Sequence, residues 1–203
     1  VKHLVVALTG ASGVRYGLRL LAAVHAAGLD LTIAVSKGGA RVLEIEEGIR
    51  VDPAAPDASK LLKLRKGRGA PAVRTLALDD IAAAVCSGTH AIDGMVVIPC
   101  SMGTLSRIAH GNSGNVIERA ADVMLKEGRP LVLVPREAPM SRIHLENLLR
   151  AHDAGAAIVP ASPGFYHRPK TIDDLVDQVV TKTLDRLGLR LDLIKRWKAP
   201  PQK

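Results

Sequence analysis

The sequence predicts a three-layer α/β domain: a central, mostly parallel β-sheet covered by helices on both faces. Three observations lead there. Short β-branched and aliphatic runs are apolar throughout rather than alternating, as strands buried on both faces are. Longer segments with apolar residues at helical spacing lie between them. The two kinds take turns along the chain, the order that βαβ units produce, with right-handed crossovers expected between the strands.

Taken in order, residues 3–9 read as a strand and 14–27 as a helix with Leu18, Leu21, Ala22 and Val24 on one side. Residues 31–35 are a second strand and 41–47 lie in the helix after it. The runs 95–99, 131–134 and 156–160 supply further strands. Helices are predicted near 113–126, 141–153 and 172–187, the last carrying Leu175, Val176, Val179, Val180, Leu184 and Leu187, with Gly188 as its terminator. The stretch 51–78, rich in Pro, Ala and Lys, breaks the rhythm and reads as an excursion at the sheet edge. No internal repeat is present.

A chain of 203 residues holds one domain with a substantial core. The domain is expected over 1–188, and 189–203 is expected to be a tail whose Trp197, the only Trp, suits docking on a neighbouring subunit. Aromatics are only 2% of residues, so the core must be aliphatic and each exposed aromatic is a candidate for contact. The net charge of +8 is mostly scattered among acids, except over 60–74, which contains none. With no aromatics interleaved there, a solvated surface is the better reading than nucleic-acid binding. Attraction of anionic phosphates is a milder use of the same charge.

Cys86 and Cys100 form neither a CxxC nor a zinc pattern, and read as small buried hydrophobes in a reducing compartment. No apolar run is long enough to span a membrane, and the first apolar run is broken too soon by Gly10 for a signal peptide, so a cytoplasmic address is expected. The seven histidines show no metal-ligand spacing, His144 and His152 being eight apart on one helix, and no metal is predicted.

The chemistry concentrates where strands end. Gly10-Ala11-Ser12-Gly13 joins the first strand to the first helix. Glycines there let backbone N–H groups and a helix N-terminus face a phosphate, although many α/β domains use such a turn for packing alone. The loop is neither GxGxxG, nor GxxxxGK[ST], nor a GxSxG elbow. Ser36 stands at the end of the second strand, where a dinucleotide's ribose would need an acid, so a mononucleotide is favoured over NAD. Cys100-Ser101-Met102-Gly103-Thr104 repeats the pattern, offering donors to a flavin or phosphate, or simply an N-cap. Arg136 and Glu137 follow the apolar run 131–134 and supply a cation beside an acid/base candidate. Glu46 could face the same crevice or be one of three surface acids with Glu44 and Glu47. Lys126 ends a helix, where the dipole favours a cation in any case.

The GASG loop, Ser36, the CSxGTLS loop, the run NxIERAADVxLKExRPLVLVPREAP, the IHLENLL helix and the PGFYHxP loop together resemble the UbiX family of flavin prenyltransferases. The resemblance extends from His3 to about Trp197; only 51–78 lacks recognisable correspondence. It implies a Rossmann- or flavodoxin-like homo-oligomer, commonly a dodecamer, with active sites shared between subunits. It also implies reduced FMN as acceptor and dimethylallyl phosphate, or in some members the diphosphate, as donor. The prenyl group is joined at N5 and C6 of the flavin, without a metal, and the prenylated FMN serves UbiD-type decarboxylases. By the same resemblance Gly10, Ala11, Ser12, Ser36, Ser101, Met102, Gly103, Thr104 and Arg136 hold FMN. Tyr166, Lys182, Lys126 and Arg119 hold the prenyl phosphate, and Trp197 lines the prenyl pocket. Glu137 is the acid/base near the departing phosphate, and Ser12 with Glu46 removes the proton during ring closure. Arginine is the usual residue at the position of Lys182, and lysine there gives up the two-pronged grip. Two rivals differ in chemistry: a flavin-dependent cysteine decarboxylase, for which the early His and the PxMNxxMW-like segment are missing, and an FMN carrier with no turnover.

Overall fold

The computed structural model describes residues 1–64, 67 and 69–195. Six strands, β1 (His3–Leu8), β2 (Asp30–Val35), β3 (Val73–Leu76), β4 (Gly94–Cys100), β5 (Leu131–Pro135) and β6 (Ala157–Ile158), form one sheet in the order β3-β2-β1-β4-β5-β6. Every neighbouring pair is parallel. The helices are α1 (Val14–Ala26), α2 (Lys37–Glu47), α3 (Ala58–Leu61), α4 (Met102–Ala109), α5 (Val116–Lys126), α6 (Arg142–Asp153) and α7 (Ile172–Arg186).

The two cores follow from strand alternation. Leu4, Val6 and Leu8 of β1 point to one face, where they pack with Leu20 and Leu21 of α1 and Val180 and Leu184 of α7. Val5 and Ala7 point to the other, with Leu105 of α4 and Ile117 and Met124 of α5. Both cores are aliphatic, in keeping with the scarcity of aromatics. The strand order reverses direction between β1 and β4, which opens a crevice beyond their carboxyl ends.

Differences from the sequence reading have local causes. The excursion 51–78 contains β3, paired from Leu31↔Val73 to Ala34↔Leu76, a four-residue half-exposed edge strand too short to show a period. Helix α2 begins at Lys37 rather than 41, because the Ser36 hydroxyl caps it by accepting from Gly39 N at 2.9 Å. Gly39 is a poor helix former, but a Cβ there would lie 2.4 Å from the Leu8 carbonyl oxygen, so the approach of α2 to β1 requires it. Helix α4 is separate, and α5 starts only at Val116, where Asn115 accepts from the N–H groups of Ile117 and Glu118. Strand β6 shrinks to two residues at the far edge.

Candidate active site

The crevice at the carboxyl ends of β1, β2 and β4 holds a cavity of about 750 Å³, within the usual range for small-molecule sites. Gly10, Ser36, Lys37 and Gly38 line one side and Ser101, Gly103 and Thr104 the other. Two helix N-termini, those of α2 and α4, therefore converge on it, and both are capped by serine hydroxyls. Their first-turn N–H groups and positive dipole ends suit an anion. A Cβ on Gly10 would lie 3.0 Å from Gly38 Cα, so a side chain at either position would push the two loops apart by a few tenths of an ångström. Thr9 fastens the end of β1 to that of β4: its hydroxyl donates to Pro99 O at 2.8 Å and accepts from Ser101 N at 2.8 Å.

The excursion supplies a wall that the sequence reading did not anticipate. Asp52 and Pro53 on one side and Leu78 and Asp79 on the other border the cavity, and Leu78 N donates to Pro53 O at 2.9 Å. Val116 N in turn donates to Leu78 O, tying the wall to α5. Two acids among backbone N–H groups and hydroxyls give both acceptors and donors, which is the mixture that a ribityl chain ending in a phosphate asks for. The residues present fit FMN.

Ser12, Glu46 and Arg136 come together at the start of α1, two residues on from Gly10, and none of the three lines the cavity itself. Gly13, at the start of α1, has φ 99° and no side-chain cap. The Glu46 carboxylate takes the cap's place, accepting from Gly13 N at 3.0 Å and Val14 N at 3.0 Å. In the structure the anion at the N-terminus of α1 is the chain's own carboxylate. Burial pushes the Glu46 carboxyl upward, but hydrogen bonds from the Ser12 hydroxyl and the Gly13 and Val14 N–H groups, with the charge of Arg136, outweigh it. The net direction is below the ordinary carboxylate value, so Glu46 is held ionised beside a hydroxyl. Arg136 Nε reaches Ser12 O at 3.3 Å, bridging the ends of β1 and β5. Glu137 follows it, half-buried, and accepts from Ala138 N at 3.1 Å. Ala11 and Met102 are buried beneath the loops instead of lining the cavity.

The remaining candidates stand elsewhere in a single chain. Tyr166 is 84% exposed, on the loop before α7. Lys182 is exposed on α7, one turn beyond Gln178, whose amide lies beside Gly164. Lys126 is at the opposite edge of the sheet, beside Gly88 and paired with Glu127. Arg119 pairs with Asp122 at 3.3 Å and lies near Cys86. Trp197 lies outside the described residues.

Some residues carry signals that the sequence reading passed over. Asp52-Pro53 is a turn dipeptide, and Asn115 belongs to a Gly/Asn cluster just before a helix, but neither pattern says that it faces a ligand. Arg107, which lines the cavity, carries no local signal at all. Cys100, the last residue of β4, is fully buried, and burial pushes its thiol up to about 12 against the weaker pull of Arg107. It is a packing residue rather than a nucleophile. Among the described residues no cluster of His, Cys, Asp and Glu has metal-binding geometry, and no helix is long and apolar enough to cross a membrane.

Comparison with known proteins agrees with this geometry. Residues 1–184 match the Flavoprotein family. The flavin prenyltransferase UbiX of Halalkalibacterium halodurans is 47% identical over 192 residues, covering 95% of this chain and 91% of that protein. The crystal structure of AnUbiX (PadA1) in complex with FMN and dimethylallyl pyrophosphate superposes with a TM-score of 0.86 at 38% identity, covering 98% of both chains. A dodecameric FMN-dependent UbiX-like decarboxylase from Escherichia coli O157:H7 gives 0.84 at 40% identity, covering 97% of this chain and all of that one.

Proposed function

The chain belongs to the UbiX family of flavin prenyltransferases, and we propose from that premise that it joins a dimethylallyl group to reduced FMN bound between β1 and β4. The donor in this reading is dimethylallyl phosphate; the related AnUbiX was crystallised with the pyrophosphate. The observation that carries the reading is the cavity at the carboxyl ends of β1, β2 and β4, with Ser12, Glu46 and Arg136 gathered on the loop that continues from its lining residue Gly10.

Reduced FMN, when bound, supplies the nucleophilic N5 and C6 positions. The chain's own residues do the rest. Arg136 brings a fixed positive charge to the end of β5, where a departing phosphate develops negative charge. Glu137, its neighbour, is the acid/base that exchanges a proton with that phosphate. Glu46, ionised and hydrogen-bonded to Ser12, accepts the proton released when the second bond closes, with the serine hydroxyl as relay. The aliphatic core beneath the strand ends keeps water from the allylic carbon.

The same reading has the enzyme working as a homo-oligomer, a dodecamer as in the E. coli relative. Leu145 and Leu149 lie on one face of α6, 54% and 60% exposed, an apolar strip suited to another copy, and Phe165 and Ile172 are exposed before α7 and at its start. Tyr166, Lys182, Lys126 and Arg119 would then serve a neighbour's phosphate site, with the tail and Trp197 closing its prenyl pocket. Delivery of the prenylated FMN to a UbiD-type decarboxylase completes the proposal. A cytoplasmic address goes with it, since both cysteines are free and buried.

The test is anaerobic incubation of the full chain with reduced FMN and dimethylallyl phosphate, followed by the mass of the extracted flavin. A gain of one C5 prenyl unit is expected. Bound but unmodified FMN with both the phosphate and the diphosphate would leave an FMN carrier and overturn the proposal.

A further inference from the structure

Arg107 and Glu118 form a pair that the reaction described above does not use. Glu118, in the first turn of α5, is 2% exposed, and its carboxylate accepts from Arg107 Nε, from Gly114 N at 3.0 Å and from Asn115 Nδ2 at 2.8 Å. A buried carboxylate so fully satisfied is a fixed anchor rather than a proton carrier. Arg107, on α4, is half exposed, and its open side lines the flavin cavity. A guanidinium has five N–H donors, and among the described residues neither of its terminal nitrogens meets an acceptor. Nη1 lies 3.7 Å from where a Cβ on Gly103 would be, so the glycine leaves the space between the guanidinium and the start of α4 open. The other charged groups lining the cavity are Lys37, on the α2 side, and the acids Asp52 and Asp79.

We infer that Arg107 is a flavin-binding residue: steered by the buried Glu118, its free Nη groups take up an anionic oxygen of the bound cofactor. That oxygen belongs either to the phosphate or to the N1–C2–O edge of the reduced ring, which carries the negative charge of the two-electron-reduced flavin. The inference rests on the cavity being the flavin site. Glu118 acts through Arg107 and is a positioning residue.

The experiment titrates the full chain, anaerobically, with FMN and with riboflavin in both oxidation states, and measures the midpoint potential of the bound flavin. Arg107→Met keeps the length and removes the charge; it should weaken FMN roughly ten- to a hundredfold, as loss of a hydrogen bond to a charged group does. If the phosphate is the partner, riboflavin binding and the potential stay unchanged. If the ring is the partner, reduced FMN and reduced riboflavin both weaken and the midpoint potential falls. Glu118→Gln should reproduce the same pattern at smaller amplitude, a split that loss of packing alone would not give. Arg107→Lys, which keeps the stem and the charge, should recover part of the affinity, and it carries the test if the methionine variant does not fold. Unchanged affinities and potential would overturn the inference, as would an equal loss of oxidised FMN and oxidised riboflavin at constant potential. Wild-type protein without FMN affinity would instead overturn the assignment of the cavity.

Discussion

The cofactor half of the site and the prenyl-phosphate half are built in opposite ways. The first, as proposed, gathers within one chain: serine-capped helix starts, two facing glycines and a threonine clasp, all fastened to the carboxyl ends of buried parallel strands. The second is scattered, with Tyr166 on an exposed loop, Lys182 midway along α7 and Lys126 at the edge where strands begin. Backbone donors at strand ends are positioned by the fold itself and can serve a cofactor in a lone subunit. Long cationic side chains on outer surfaces converge only if another copy brings them together. In the proposed reading the fold specifies a flavin site and leaves reactivity to assembly.

The sharpest way to break that comparison is to prevent assembly. Leu145→Lys combined with Leu149→Lys puts like charges on the exposed face of α6 without touching its buried side, where Asn147 and Ala151 pack. Native mass measurement should find smaller species that still bind FMN, while prenyl transfer falls roughly a thousandfold or more, since each transition-state donor removed costs about 10²–10³. A verified monomer with full activity would show that the phosphate half forms within one chain.

Within the assembled enzyme, Glu137→Gln separates binding from chemistry next most strongly. The amide keeps the shape and cannot exchange the proton, so turnover should drop roughly 10²- to 10⁴-fold. FMN affinity should stay as it was, since the carboxylate's recorded partner is its own neighbour's N–H. Equal loss of FMN and turnover in a titration would instead make Glu137 part of the cofactor half.

Glu46 caps α1 and, in the proposed mechanism, is also the base beside Ser12. Glu46→Gln should slow turnover roughly a hundredfold and lower stability at neutral pH. Its folded-state acidity lies below the ordinary carboxyl value of 4.5, so its contribution to stability is present above that value. The contribution is lost as pH falls through the depressed folded value. Melting curves of wild type and variant should therefore differ at pH 7 and converge under acid. Curves that stay apart at the acid end would mean that the cap acts through shape and not through charge.

How much of this was legible in the sequence follows the same division. The strand–helix alternation is a strong periodic signal, and with it came β1, β2, β4, β5 and the loops after them. Edge strand β3 was invisible because Val73-Arg74-Thr75-Leu76 is short and half-exposed. The wall made by Asp52, Pro53 and Leu78 depends on a contact, Leu78 N to Pro53 O, that joins positions far apart in an irregular stretch. Arg107 lines the cavity while bonded to the buried Glu118, eleven residues on, a pairing that no local pattern states. That Glu46 caps α1 needed α2 to pass close over Leu8, a consequence of Gly39 that no local pattern states. Motif positions show which residues matter; which of them meet is decided by packing.

The smallest expected effect tests the scattered half directly. Lysine at 182 keeps a point charge where a guanidinium would grip a phosphate with two parallel donors. Lys182→Arg should add about one hydrogen bond to the donor's phosphate, lowering KM for dimethylallyl phosphate or the diphosphate by roughly three- to tenfold with kcat within about twofold. FMN affinity should not move, because Lys182 is no part of the cavity lining. A side chain that stands exposed on α7 in one chain can alter the donor's KM only if it reaches a phosphate in the assembled enzyme. An unchanged KM for both donors would remove Lys182 from the phosphate site and leave the scattered half to be built from other residues.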